Sequence, residues 1–437
     1  MTISKSYAKQ MDAWLRSRLD PAQPGIAALV VQDNKTCFRA GYGMANVELG
    51  VSIRPEMVFR IGSITKQFTS AAILMLMERG KLDVSDPITK FLPDYPTRDH
   101  RITIAHLLTH TSGIRSYTDM PESAKVTRND RTLDEHIAFF KDQPIDFVPG
   151  ERWHYNNSGY FLLGAIIEKV SGQTYEAFLQ KHIFDKLGMT NTHYDMPNKI
   201  IPNRAAGYST GPNGLENAMF ISMTQPYAAG ALASSVDDLA KWDAALYGRK
   251  ILKQATLKHA WTSHILKNGE DTHYGYGWSV ERAFDLDTSS HGGGIPGFST
   301  YALRIPAHRL FVAVFANTNE PTLDPNFVAW QLALNAVGQP LQTFKAIPLS
   351  KRMLASVVGK YRVNEHITLI FTRQAAQLFV QFWEGMPPRP IHAMSASEFA
   401  LQDSFMRFEY VPGKDAQPAT IRVHDKNILR DTATKLP

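Results

Sequence analysis

The sequence predicts an α/β domain in which a helical subdomain is inserted between the two halves of an antiparallel sheet, followed by a small all-β tail. Three observations carry this reading. Two apolar runs near the start, 25–32 and 36–43, are separated only by Asp33, Asn34 and Lys35, a hairpin signal. Strand-like runs return only at 274–281, 300–306 and 310–317, after a long helical and loop-rich block, so the early strands wait for late partners. Beyond residue 350 the chain breaks into short, evenly spaced runs that alternate apolar and polar every second residue.

A length of 437 residues implies two or three structural units, and 44% hydrophobic with 20% charged residues describes a globular protein. The net charge of +6 raises the question of nucleic acid. From Ala346 onward 12 Lys and Arg face 8 Asp and Glu, leaving 35 against 33 in the rest, and no basic run is interleaved with aromatics. The excess reads as solvated surface, and no nucleic-acid partner is expected. A single cysteine, Cys37, excludes an intrachain disulfide framework and any paired-cysteine metal knuckle. The opening stretch lacks an apolar leader core and a small-residue cleavage site, while Tyr7, Met11, Leu15 and Leu19 repeat like an amphipathic helix. It reads as part of the fold, and the expectation is a cytoplasmic protein with no membrane partner.

The elements follow in order. After the first helix and the hairpin, Ile64 to Met77 is apolar nearly all round a helical projection, which reads as a buried central helix too short to span a membrane. Its first turn is polar. A serine there is ordinarily an N-cap, but Lys66 lies three residues after Ser63, on the same face one turn along. A desolvated lysine there can be neutral and accept the serine proton. Proline and glycine then punctuate a helical and loopy stretch until a turn with Pro149, Gly150, Asn156, Asn157 and Ser158 leads into a helix over 160–170, closed by Gly172. A helix is expected over 174–187. Residues 230–246 read as a capped helix, with Ser235 ahead of Asp237 and Asp238. After the late strands comes a helix over 326–337. Residues 341–352 read as a linker between a first domain, 1–340, and a barrel or sandwich, 353–437, with strands at 359–363, 366–372, 377–384, 389–394, 398–402, 405–411 and 419–425.

Two more clusters could meet Ser63 and Lys66 in a cleft. Tyr155, Asn156 and Asn157 sit in a turn just before a helix, and His291 begins HGGG, whose glycines weaken a strand unless a backbone or ligand must come close. With these three clusters the sequence resembles the serine β-lactamases and penicillin-recognising enzymes, in their class C-like branch of D-aminopeptidases, D,D-carboxypeptidases and esterases. That family carries SxxK, YxN and K/HxG, here Ser63–Lys66, Tyr155–Asn157 and His291–Gly293. The phrases LLTHTSGI, PGERWHYNNSGY, GALASSVDDLAKW, YGYGW and HGGGIPGFS match in the family's order, over roughly residues 20 to 340. The tail is similar to the lipocalin-like barrels that some members append.

The resemblance implies a serine hydrolase working through an acyl-enzyme, without metal or cofactor, on a small-molecule or short-peptide substrate. Ser63 would attack, Lys66 and Tyr155 would share the proton transfers, and Asn157 would hold Lys66 and the substrate amide. The N–H groups of Ser63 and Gly294 would form the oxyanion hole, and His291 and Gly293 would bind substrate. Histidine in place of the family's lysine points to a D-amino-acid-directed peptidase. A carboxylesterase, a weak β-lactamase and an acylated receptor or scaffold without turnover are the alternatives. With histidine there the site is expected to depend less on a free carboxylate beside the scissile bond, unless Arg115 or Arg304 restores the missing charge. A homo-oligomer is compatible with all of these.

Overall fold

The computed structural model describes residues 3–342, 346–364, 367–384, 386–414 and 417–436. The chain forms two compact units, one of residues 1–281 and 287–339, the other of 340–437 and 282–286.

In the first unit, helix α1 (Tyr7–Arg16) buries Tyr7, Met11 and Leu15. Strands β1 (Ile26–Gln32) and β2 (Lys35–Tyr42) form the expected hairpin. The late strands are β3 (Ser279–Ala283), β4 (Leu286–Ile295), β5 (Phe298–Ile305) and β6 (Leu310–Ala316). They join the hairpin in a six-stranded sheet ordered β3-β4-β5-β6-β1-β2. β1 pairs antiparallel with β6 from Ile26 opposite Ala316 to Gln32 opposite Leu310, so the first and last strands sit side by side inside the sheet. Every residue of β6 is buried, which explains its unbroken apolar sequence.

Helix α2 (Thr65–Glu78) is buried from Thr65 to Leu76. Helix α3 (Asn157–Ser171) starts three residues before the expected point because the Asn156 side chain caps it, accepting from Gly159 N at 2.7 Å, and it ends at Gly172 in the left-handed region. The expected 174–187 helix is α-helical at Tyr175–Leu179, widens to a π turn over Gln180–Phe184 and closes at Asp185–Leu187. Helix α4 (Val236–Leu246) is capped by Ser235, whose Oγ accepts from Asp238 N at 3.2 Å. Just before it Leu232–Ser234, read as helix from the sequence, is a strand paired with Phe59–Arg60 and His193–Tyr194. Helix α5 is Pro325–Ala336.

One strand is corrected. Residues 274–278 are loop, and the strand begins at Ser279. Gly277 has φ +79°, and a Cβ there would lie 2.6 Å from the Lys66 carbonyl oxygen, so the loop is pressed onto α2 instead of extending the sheet.

The second unit is a closed antiparallel barrel of eight strands: Gly359–Arg362, Thr368–Gln374, Gln377–Gln381, Arg389–Ala393, Glu398–Leu401, Arg407–Val411, Thr420–Asp425 and Ile428–Lys435. Tyr361, Phe371, Val380, Phe399, Phe408 and Ile421 belong to its core. The sequence reading missed the eighth strand, in which only Ala433 is buried, so no alternation announces it. It also missed helix Lys351–Val357, capped by Ser350 within the stretch read as linker. Residues 343–345 of that linker, and His366 at the head of the second tail strand, lie outside the described residues.

The glycines of β4 have a definite cause. A Cβ on Gly293 would lie 2.0 Å from the Ile61 carbonyl oxygen, and one on Gly62 would lie 2.9 Å from Gly294 N. Thr300 Oγ1 of β5 donates to the same Ile61 carbonyl at 3.1 Å. The backbone leading into α2 is therefore laid directly on β4. A Cβ on Gly294 meets nothing within 4 Å. Gly293→Ala is expected to lower stability by ~1–3 kcal/mol or more through backbone displacement, and Gly294→Ala to leave it nearly unchanged. Equal melting temperatures for the two variants would refute this account.

Candidate active site

The strand Phe59–Arg60 reaches α2 through a tight turn, Gly62–Ile64, in which Gly62 has φ +48°. That conformation, with the approach to Gly294, requires glycine and sets Ser63 at the head of the buried helix. Lys66, one turn on, is fully buried. Its Nζ lies 3.0 Å from Ser63 Oγ, 2.8 Å from Asn157 Oδ1 and 2.9 Å from the Ala229 carbonyl oxygen. Burial holds its pKa well below the ordinary lysine range. Asn157 Oδ1 and the Ala229 carbonyl can only accept. A neutral amine gives its two N–H groups to them and turns its lone pair to Ser63, so it can take the Ser63 proton.

Ala229 reaches Lys66 from the single turn Tyr227–Gly230, which lies against α3 at Gly164, where a Cβ would be 2.3 Å from Tyr227 Cε1. Asn157 is the first residue of α3. Tyr155, two residues earlier, is half-buried; desolvation raises its phenol pKa and a hydrogen bond with Ser63 opposes the rise. Lys66 Nζ lies 4.7 Å from its ring centroid. Asn156 points away from Ser63 into the protein, donating to the Ile114 carbonyl.

The turn is held by a residue to which the sequence reading gave no role, although it lies within the matching phrase LLTHTSGI. His110 is buried with φ +61°. Its carbonyl accepts from His154 N at 3.0 Å and its Nδ1 accepts from Asn156 N at 3.0 Å, so it grips both neighbours of Tyr155. An accepting Nδ1 places the ring proton on Nε2. Among the described residues that atom has no hydrogen-bond partner, and the imidazole ring lies among those of Tyr155, Tyr274 and Tyr160 at 4.4, 4.6 and 5.1 Å between centroids. Burial keeps the imidazole neutral, its pKa well below the usual value.

His291 lies inside β4, not after a strand. Its Nδ1 donates to the Gly292 carbonyl at 2.6 Å, so Nε2 accepts from the Tyr274 hydroxyl at 2.8 Å. Burial, reinforced by Lys66, lowers its pKa to about 3. Both ring nitrogens are engaged and the ring is neutral. Tyr274, supplied by YGYGW, is the second residue whose part at the site the sequence reading did not identify.

A cavity of about 190 Å³ opens in front of Ser63, which lines it together with Asn157, Gly294, Tyr117, Gln225 and Ile295 among others. The structure thus brings Ser63, Lys66, Tyr155 and Asn157 together, with the backbone of Gly294 beside Ser63. His291 and Gly293 do not line the cavity: the first faces Tyr274 and the second abuts Ile61. Among the described residues no Asp, Glu, Lys, Arg or His lines it. Arg115 pairs with Asp146, and Arg304 is buried against Asp243. Among the described residues there is also no group of three His, Cys, Asp or Glu placed to hold a metal ion, and no helix long and apolar enough to cross a membrane.

A serine hydrogen-bonded to a buried lysine at the head of a buried helix, beside an antiparallel sheet and an inserted helical subdomain, defines a β-lactamase-like serine hydrolase. The chain belongs to the beta-lactamase family, which matches residues 11–336. It is 27% identical over 435 residues to a penicillin-binding protein of Bacillus subtilis (strain 168), covering 93% of this chain and 94% of that one. Among solved structures it is similar to the octameric penicillin-binding protein homologue from Pyrococcus abyssi (TM-score 0.70, 27% identity, 98% of this chain and 99% of that one). It is also similar to a D-stereospecific amidohydrolase from Streptomyces sp. (TM-score 0.60, 25% identity, 71% of this chain and 94% of that one).

The grip of His110 on the Tyr155 turn is testable. Asparagine tolerates positive φ and carries an acceptor near the Nδ1 position, whereas glycine relieves the φ and supplies no acceptor. His110→Gly is expected to lose about tenfold to a hundredfold in kcat with KM little changed, and His110→Asn to recover most of it. If the two variants behave alike, the hydrogen bond to Asn156 does not position Tyr155.

Proposed function

We propose that the protein hydrolyses small amides or esters through an acyl-enzyme on Ser63. The observation that carries this is the neutral-capable amine of Lys66, 3.0 Å from the Ser63 hydroxyl. Ser63 Oγ bonds to the substrate carbonyl carbon while its proton passes to Lys66. The negative charge on the carbonyl oxygen is met by the N–H groups of Ser63 and Gly294, donors of a kind worth roughly 3–4 kcal/mol each. Tyr155, kept protonated by burial, gives its proton to the departing amine or alcohol, and the proton on Lys66 restores the phenol. Water then repeats the sequence on the acyl-enzyme and releases the acid. Asn157 fixes Lys66 throughout.

The uncharged cavity wall supports substrates that carry no carboxylate beside the scissile bond, since burying an unpaired charge there is costly. Small neutral acyl esters fit this directly. The amide reading, D-amino-acid-directed hydrolysis, is supported by the likeness to the D-stereospecific amidohydrolase; the substrate amine would then enter in its neutral form, because no carboxylate among the described residues lines the cavity. The likeness to an octameric homologue supports assembly of this chain into a homo-oligomer, which light scattering would measure.

A fluorophosphonate probe is expected to label the wild type once and to leave Ser63→Ala unlabelled; undiminished labelling of the variant overturns the assignment. Side-by-side rates on D- and L-amino-acid p-nitroanilides, p-nitrophenyl esters and nitrocefin separate the ester, amide and β-lactam readings, and a single burst without steady state would instead mark an acylated receptor.

The acid limb of kcat/KM belongs to Lys66, which loses its base function as pH falls through its lowered pKa. His291, at about 3, is already neutral throughout the working range. His291→Gln is therefore expected to leave the position of that limb where it is, and a shifted limb would show that His291 titrates with activity.

A further inference from the structure

Beside the uncharged cavity lies a second one with the opposite character. It has a volume of about 380 Å³, and Pro296, in the turn between β4 and β5, lines both. Its polar wall is Arg60, Arg204 and Asn46, and its apolar wall includes Met219 and Phe220, which are 50% and 44% exposed. Ile221, the residue after Phe220, lines the first cavity. The two spaces are thus consecutive along both the β4–β5 turn and the 219–221 segment.

The two arginines share one anion. Arg60 Nε donates to Asp195 Oδ2 at 2.7 Å and Arg204 Nη1 donates to Asp195 Oδ1 at 2.7 Å, and the Asp195 side chain is completely buried. Among the described residues neither guanidinium pairs with another carboxylate, so two positive charges face one negative charge. Both terminal nitrogens of Arg60, and Nε and Nη2 of Arg204, donate to no protein acceptor among the described residues. Asp195 therefore acts as a fixed anchor that orients both guanidinium planes and leaves a net positive charge with unspent donors at the cavity. The Arg60 side chain is only 15% exposed, which limits competition from water. A planar fork of N–H donors is matched to a carboxylate or a phosphate.

We propose that this second cavity binds an anionic group, a carboxylate or a phosphate, at the far end of the substrate whose neutral carbonyl reacts at Ser63, with an apolar spacer passing Pro296 and lying along Met219 and Phe220. This rests on the reading of Ser63 as an acylated nucleophile. The substrate class is then an amide or ester that is uncharged beside the scissile bond and anionic at a distance from it.

The test uses the full chain and a homologous series of p-nitrophenyl monoesters of linear dicarboxylic acids. Each is compared with its neutral methyl ester, and a parallel series ends in phosphate in place of carboxylate. One spacer length is expected to favour the charged tail over the neutral one by at least about tenfold in kcat/KM, from hydrogen bonds to a charged group. The better of the two series identifies the anion. Arg204→Gln, which leaves Asp195 paired with Arg60, should bring the charged-to-neutral ratio close to one, and Arg204→Lys should retain part of it. Because the neutral ester is read in each variant, a misfolded variant is recognised by loss of both rates, and the ratio in Arg204→Lys then decides. A ratio near one at every length in the wild type, or a ratio unmoved by Arg204→Gln, overturns the proposal. If no ester of either kind is turned over, the hydrolase reading fails. The anion site is then decided by calorimetric titration of the wild type and Arg204→Gln with adipate and with inorganic phosphate: binding that the variant loses supports the site, and no heat, or equal binding, overturns it.

Discussion

The burial of one amine organises the first unit. Among the described residues Lys66 has no countercharge within ion-pair distance; its Nζ is held by the Ser63 hydroxyl, the Asn157 side chain and the Ala229 carbonyl. These partners come from the turn that opens its helix, from the first residue of α3 and from the turn 227–230. A buried ammonium with no anion is strongly disfavoured, and burial accordingly lowers the pKa of the amine and favours its neutral form. A neutral amine is what the proposed role of Lys66 as base requires. The same three hydrogen bonds fix α2, α3 and the 227–230 turn against one another, so the chemistry and the packing of the helical subdomain depend on one side chain.

Close backbone contact is the second requirement. The oxyanion donors proposed at Ser63 and Gly294 belong to a helix start and a sheet strand, which side chains would ordinarily hold about 10 Å apart if they packed as layers. Gly62 and Gly293 remove the side chains at the crossing, and the Ile61 carbonyl is taken by Thr300 from the next strand. Gly294, where a Cβ would meet nothing, is left open towards the cavity. Successive glycines thus do different work: one admits the backbone and the other faces the space where substrate would sit.

Much of this was legible in the sequence because it rests on local pattern. The hairpin, the all-round apolar α2, the Ser63–Lys66 spacing and the Ser235 cap are each visible within a few residues. What escaped depends on distant contacts. The loop at 274–278 reads as a strand, but the pressure of Gly277 on the Lys66 carbonyl bends it away. The eighth barrel strand has only Ala433 inward and is specified by its two neighbouring strands rather than by its own residues. His110 and Tyr274 lay in phrases that matched the family, yet their parts come from hydrogen bonds to Asn156 and His291 that no spacing reveals. The substrate-binding role of His291 and Gly293 rests on the motif; in the structure the ring hydrogen-bonds to Tyr274 and the glycine abuts Ile61.

The neutrality of His291 and that of Lys66 constrain each other. Lys66 contributes to lowering the His291 pKa, and the coupling is reciprocal: a permanent cation on β4 would press the Lys66 pKa lower still. Two unit charges roughly 6 Å apart at an effective dielectric constant of ~20 repel by about 3 kcal/mol. A histidine whose proton is spent on the Gly292 carbonyl and whose lone pair is spent on Tyr274 adds no such field. It also contributes no charge with which a carboxylate beside the scissile bond could pair. A site built this way has to obtain any electrostatic selectivity from outside the reacting centre, where added charge does not disturb the base. The cationic pair Arg60 and Arg204, beyond Pro296, is placed where it can do so, because the buried Asp195 neutralises half of its charge and orients the rest.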